Sequence, residues 1–199
     1  TFHPYTRDPE TLARPWAPPG VAGLEHRIGG LEKADITGNI SYDPANHDFM
    51  TRTRQAKVDR IADSLPPLEV DDPSGQARVV VLGWGSTYGP IGAGVRRVRK
   101  AGYHVAQVHL RHLNPFPKDL GDILSRYDKV LVPEMNLGQL SLLVRAKYLV
   151  DAVGYNQVRG LPLKAAELAE AIGELVAQAE GVEVDLTAAT TEPSSQEVK

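Results

Sequence analysis

Three short segments carry the residue types that could do chemistry. The first, Gly83-Trp84-Gly85-Ser86-Thr87-Tyr88-Gly89, follows the apolar run Arg78-Val79-Val80-Val81-Leu82. A glycine-rich turn between a strand and a helix can present backbone amides and a helix N-terminus to an anion, here with Ser86, Thr87 and Tyr88 beside them. Its G-x-G-x-x-x-G spacing is not the G-x-G-x-x-G of a dinucleotide fingerprint, and His109 and Arg111 stand where a ribose-binding acid belongs. The Gly-Lys-Ser/Thr of a P-loop is also missing, and a structural tight turn is the competing reading. The second segment is His109-Leu110-Arg111-His112-Leu113-Asn114-Pro115-Phe116-Pro117. Two histidines three apart after a strand, with no cysteine or adjacent carboxylate to complete a shell, read as polar groups lining a cleft or subunit contact rather than metal ligands. The third is Pro133-Glu134-Met135-Asn136-Leu137-Gly138-Gln139-Leu140. Glu134 at a strand end can act as acid, base or anchor; against this stands a salt bridge or a carboxylate that holds amides. Asn136 and Gln139 read as a capping box for the next helix. Gly83, Gly85, Ser86, Thr87, Tyr88, His109, His112, Glu134 and Asn136 are therefore candidates for lining a channel, an anion site or an interface. None is assigned as catalytic and none as a metal ligand.

The elements that must position these segments alternate. Strands are expected at residues 78–83, 104–110 and 129–133, with a short one near 156–159. Between them fall helices at about residues 90–101 and 118–125 and one after Asn136 with Leu140, Leu143 and Ala146 facing inward. A last helix covers about residues 163–179. The run Arg96-Arg97-Val98-Arg99-Lys100 reads as a solvated face and last turn that suit the helix dipole. This alternation predicts an α/β fold, a three-layer α/β/α sandwich with a mainly parallel sheet. The preceding stretch is different. Five prolines lie within its first twenty residues, and few large apolar residues appear before Phe49. One helix is expected there, over residues 44–64, with Asp43 as N-cap and Pro44 at its first position. Residues 1–70 thus read as an irregular, partly helical segment, either the trailing part of a larger domain or an arm on a neighbour. Asp71-Asp72-Pro73-Ser74-Gly75 reads as a linker, residues 76–185 as the layered domain, and residues 186–199 as a disordered tail.

Composition narrows the function classes. The 199 residues carry 22 Lys/Arg against 25 Asp/Glu, a net charge of −3. Of these, residues 1–76 hold 8 basic and 12 acidic side chains. Such a balance argues against nucleic acid or an anionic membrane as partner. No apolar run approaches the ~20 residues of a spanning helix, and no basic-then-apolar leader opens the chain, so a cytoplasmic location is expected. With no cysteine, disulfides, thiolate metal sites and a self-held iron–sulfur cluster are excluded.

In this order, Gly83-Trp84-Gly85-Ser86-Thr87-Tyr88-Gly89-Pro90, Asn114-Pro115-Phe116-Pro117 and Val132-Pro133-Glu134-Met135-Asn136-Leu137-Gly138-Gln139-Leu140 resemble the transketolase C-terminal-like domain of 2-oxoacid:ferredoxin oxidoreductases. They are most similar to the alpha subunit of the 2-oxoglutarate-type enzymes. Pro18-Pro19-Gly20, Gly23-Leu24-Glu25-His26 and Asp43-Pro44-Ala45-Asn46-His47 resemble the stretch that follows the family's pyrimidine-binding domain, although Arg27-Ile28-Gly29 departs from the acidic residues of relatives. The resemblance implies a thiamine-diphosphate enzyme that decarboxylates a 2-oxoacid, passes electrons to ferredoxin and acylates CoA. It further implies that thiamine diphosphate, magnesium and an iron–sulfur cluster are held with a beta subunit. This chain would then be a C-terminal piece that buttresses the remainder of the alpha subunit, inactive alone. A transketolase-like or 2-oxoacid dehydrogenase beta-type domain, and a non-catalytic anion-binding module, are the alternatives.

Overall fold

The computed structural model describes residues 1–187, and the tail expected at 186–199 falls, from residue 188 on, outside them. Two compact units are present. One comprises residues 1–66 with 114–116; the other comprises 67–113 with 117 onward.

The second unit is the layered one. A five-stranded sheet is built from β1 (Val70–Asp71), β2 (Val79–Trp84), β3 (Ala106–Leu110), β4 (Lys129–Glu134) and β5 (Ala152–Asn156) in the order β1-β3-β2-β4-β5. Only β1 runs antiparallel to its neighbour. It ends on Asp71, the first residue of the acidic stretch expected to be a linker, and β5 lies ahead of its expected position. Helices α2 (Tyr88–Lys100) and α5 (Ala165–Glu180) pack together on one face. There Ile91, Val95, Leu168 and Ile172 join Val79, Val81 and Leu131 in one apolar cluster. Gly94 permits this approach, since a Cβ there would lie 3.0 Å from that of Leu168. Strand alternation turns Val80, Leu82, Val130 and Val132 to the opposite face. α3 (Leu120–Leu124) and α4 (Gln139–Tyr148) contribute buried Leu120, Leu124, Leu140 and Val144. Gly102, at φ +94°, ends α2 as its spacing predicts. The basic end of α2 is not wholly solvated: Arg99 donates to the Val105 and Asp71 carbonyls (2.8 and 2.6 Å) and to the Asp71 carboxylate (2.9 Å), tying the β1 edge to the helix.

Hydrogen bonding opens the sheet at one place. β2 pairs with β4 only as far as Val81↔Leu131, whereas β2–β3 continues to Trp84↔Leu110 and β4–β5 to Glu134↔Asn156. Pro133, lacking an N–H, sits where the two central strands part. Because β3 and β4 lie on opposite sides of β2, this gap is also the point where strand order reverses, the crevice where open α/β sheets place ligands and contacts.

Glu134 closes the floor of that gap and is fully buried. Its carboxylate accepts from the Leu140 amide (2.9 Å), the Ser141 amide (3.0 Å) and the Asn136 carboxamide (3.1 Å). Two of these are orphan donors of the first turn of α4, where a negative group also suits the helix dipole. The expected capping box is corrected accordingly. Asn136 accepts from the Gly138 and Gln139 amides (2.8 and 3.0 Å), forming a turn ahead of the helix, and Glu134 takes the first-turn amides instead. The inward face is also shifted: Leu140, Ser141 and Val144 are buried, whereas Leu143 and Ala146 are exposed.

The first unit has one α-helix, α1 (Pro44–Arg60), extended by a 3-10 turn through Ser64, with Asp43 accepting from the Ala45 amide as N-cap. Of the large apolar side chains along it, Met50 is buried and Phe49 and Ile61 are half exposed. Polar side chains do the remaining work. Asn46 bridges to the Lys33 carbonyl (2.9 Å) and the Asp35 amide (3.0 Å), and Arg60 donates to the Pro9 and Glu10 carbonyls (2.8 and 2.7 Å). Buried Lys33 donates to the carbonyls of Gly29 and Leu31.

Two stability outcomes follow from these contacts. Glu134→Ala strands two buried amides and the half-buried Asn136 carboxamide and is expected to lower unfolding free energy by about 2–4 kcal/mol, with Glu134→Gln, which keeps one acceptor oxygen, losing less. Denaturant unfolding of both variants measures this, and equal losses would contradict it. Gly85 sits at φ +58° with open space around its missing Cβ. Gly85→Val is therefore expected to cost about 1–2 kcal/mol from backbone strain alone, with Gly85→Asn milder because Asn tolerates that region.

Candidate functional site

All the candidate residues except His112 fall into two clusters at the carboxyl ends of the central strands. The first surrounds the glycine-rich turn. Gly83 pairs with His109 across β2 and β3. A Cβ on Gly83 would lie 2.6 Å from Ile91 Cδ1, 3.2 Å from His109 Nδ1 and 3.3 Å from Thr87 Oγ1, so only glycine lets these three side chains converge. After Gly85 turns the chain through positive φ, residues Gly85–Thr87 form one 3-10 turn that leads into α2. The buried Thr87 hydroxyl accepts from the Trp84 amide (3.2 Å) and donates to the Trp84 carbonyl (2.7 Å), closing the turn on itself. That hydroxyl is spent on structure. Ser86 is exposed on the rim, and the exposed Tyr88 ring stands edge-on to His109, centroids 4.9 Å apart at 71°.

His109 is the titratable group of this cluster. Burial holds its imidazole below the usual histidine range, the charge of Arg111 pushes the same way, and a hydrogen bond with the Gly85 backbone opposes both. Its Nδ1 is buried with no hydrogen-bond partner, and so is Nε1 of Trp84. A neutral imidazole and an indole N–H thus retain unused hydrogen-bonding capacity beside the turn. Trp84 was not singled out from the sequence. The signal was a tryptophan between two turn glycines, but whether its N–H finds a partner depends on neighbours supplied by the fold.

The second cluster is Glu134 and Asn136, both consumed in anchoring α4. Gly138, at φ +94°, completes it; a Cβ there would lie 2.9 Å from Asn156 Nδ2 and 3.0 Å from Ser141 Oγ. His112 is exposed on the loop after β3 and joins neither cluster. Among the described residues, no three His, Asp or Glu side chains converge as a metal site. Chemically, the arrangement offers shape, two free hydrogen-bonding ring nitrogens and a rim hydroxyl, but no unengaged carboxylate at the strand ends.

Comparison with known proteins assigns this framework. Residues 77–161 match the family described as pyruvate:ferredoxin oxidoreductase core domain II. The chain is 58% identical over 167 residues, 84% of its length, to 2-oxoglutarate oxidoreductase subunit KorA of Mycobacterium tuberculosis, of which the match covers 25%. It is 36% identical over 123 residues to the alpha subunit of 2-oxoacid:ferredoxin oxidoreductase 1 of Aeropyrum pernix, covering 57% of this chain and 19% of that one. Among solved structures, the 2-oxoglutarate:ferredoxin oxidoreductase of Magnetococcus marinus, with 2-oxoglutarate, coenzyme A and succinyl-CoA bound, superposes with a TM-score of 0.79 at 31% identity. That likeness covers 88% of this chain and 31% of the other. The chain therefore spans about a quarter of the length of the curated relatives it matches. Motif order, sheet topology and these likenesses converge: the chain belongs to the 2-oxoacid:ferredoxin oxidoreductase family, on the alpha-subunit side.

Proposed function

We propose that this chain is the buttressing and interface-forming part of a 2-oxoglutarate:ferredoxin oxidoreductase alpha subunit. In this reading, the whole enzyme decarboxylates 2-oxoglutarate, reduces ferredoxin and acylates coenzyme A. The observation that carries the non-catalytic role is Glu134: the one acidic side chain at the ends of the parted strands is committed to three N–H donors. The glycine turn and His109 then form a contact wall or channel border. The names of the relatives above support the 2-oxoglutarate substrate class, and their description as subunits supports a beta-subunit partner.

The iron–sulfur cluster implied by the family does not fit the donors present, because a sequence without cysteine has no thiolate to hold it. In this reading thiamine diphosphate, magnesium and the cluster lie with the beta subunit and the remaining alpha polypeptide. Exposed Ser86 and Tyr88 on the rim of the glycine turn suit protein contact, and a cytoplasmic location is part of this reading.

Reconstitution tests the reading. The intact alpha protein purified with its beta subunit is expected to reduce ferredoxin in a reaction dependent on 2-oxoglutarate and coenzyme A, while residues 1–199 alone neither turn over nor take up thiamine diphosphate or magnesium by calorimetry. Turnover by residues 1–199 alone, or stoichiometric micromolar uptake, defeats it. His109 gives a second measurement. The unfolded chain protonates this histidine near pH 6.5, whereas the folded chain resists until lower pH, so between those values the unfolded state binds more protons. Stability should therefore fall as pH drops below about 6.5 and level off at the folded pKa. The His109→Gln variant should show a shallower decline over the same window, and parallel profiles would remove His109 as its cause.

A further inference from the structure

A cleft of about 540 Å³ opens in the first unit, walled by Tyr5, Leu12, Ile36, Phe49 and Ala56. That size falls in the range of small-ligand sites, and a mainly apolar lining with a few converging polar groups is their usual character. Phe49 and Ile36 are half exposed along it. Tyr5 is held in place by its backbone N–H, which donates to the Ile36 carbonyl (3.2 Å), and by the Arg14 guanidinium 4.4 Å from its ring centroid.

Three arginines reach this cleft, and they are not equivalent. Arg52 is committed to Asp48, and Arg60 to the Pro9 and Glu10 carbonyls. Arg7 is different. Its Nε is buried with no hydrogen-bond partner, and its Nη2 makes a weak contact to the Met50 sulfur at 3.6 Å. A buried, unmatched guanidinium nitrogen costs free energy, which a shift of the Arg7 side chain toward an acceptor in the cleft would recover. Backbone strain points the same way. Leu12 and Ile36 hold φ of +57° and +62°, the latter a conformation that β-branched residues strongly disfavour, and both lie in the walls. Strain of this kind concentrates at sites that bind.

We propose that this cleft binds a small organic monocarboxylate carried on an aryl or alkyl body, with the carboxylate on Arg7 and the body against Tyr5, Ile36 and Phe49. The planar fork of a guanidinium matches a carboxylate, and apolar walls disfavour the heavy hydration of a phosphate. Asp35, in the same lining, limits the net positive charge and so selects a single negative charge over a double one. The site is independent of the oxidoreductase reading, because it depends only on residues within the first unit.

The test uses the intact protein and 3-phenylpropionate as probe, followed by titration calorimetry and ligand-observed NMR. Saturable binding is expected, with 3-phenylpropan-1-ol, which lacks the carboxylate, at least about tenfold weaker. Arg7→Gln and Ala56→Phe, the latter filling the cleft from α1, should each weaken the acid by a similar factor. Should Arg7→Gln fail to fold, the alcohol comparison on the unaltered protein and the Ala56→Phe variant still decide. Equal affinity for acid and alcohol, binding untouched by Ala56→Phe, or no binding at all, including exclusion by a polypeptide seated in the cleft, overturns the proposal.

Discussion

The carboxylate of Glu134 is the constraint on which the layered unit depends. A parallel sheet whose central strands part must end its gap somehow, and the backbone donors exposed there must be satisfied. Here one side chain does both, meeting the amides of Leu140 and Ser141 and the Asn136 carboxamide from a fully buried position. Because those amides open α4, the same bonds set the helix register, and with it the choice of Leu140 and Val144 as the faces that pack beneath the sheet. An acid so engaged is poorly suited to moving protons.

The glycine-rich turn obeys the same economy. Glycine at position 83 exists to let Ile91, Thr87 and His109 meet, and Thr87 then satisfies the Trp84 amide that the turn would leave open. What resembles an anion cradle in sequence is substantially filled by its own side chains. The groups that retain capacity, Nδ1 of His109 and Nε1 of Trp84, are neutral donors or acceptors buried beside the turn without a partner.

Much of the sheet could be read from the chain because its central strands are buried on both faces and therefore appear as continuous apolar runs, Val79–Leu82 and Val130–Val132. The α/β alternation, the Gly102 stop and the Asp43 cap rest on local chemistry and were legible for that reason. Three features were not. β1 is two residues inside Asp-rich turn chemistry, and only its pairing with Val108 and Gln107 makes it a strand. β5 has alternating burial and a central Gly154, which blurs its pattern against the polar residues after it. The start of α4 was misplaced because Asn136 and Gln139 mimic a capping box, while the real acceptor lies on the preceding strand. Of the candidate site, the clustering of Gly83, Thr87 and His109 follows from strand-end logic, whereas their hydrogen-bonding state required the fold.

The first unit answers a harder problem with different means. A stretch with so few large apolar residues cannot bury enough surface to offset its ordering entropy, yet residues 1–66 carry a defined network. Long side chains supply what the core lacks: Lys33 and Arg60 capture main-chain carbonyls, Asn46 ties the helix to the loop at Lys33–Asp35, and Glu32 meets His47 and Arg54. Such stitching satisfies polar backbone where no secondary structure can, but it fills space poorly. It leaves Phe49 and Ile36 half uncovered and Arg7 with a donor unmatched. The cleft is thus a direct consequence of organising a helix by directional bonds instead of packed side chains, and a ligand that is part apolar and part anionic complements both of the deficits that this strategy leaves behind.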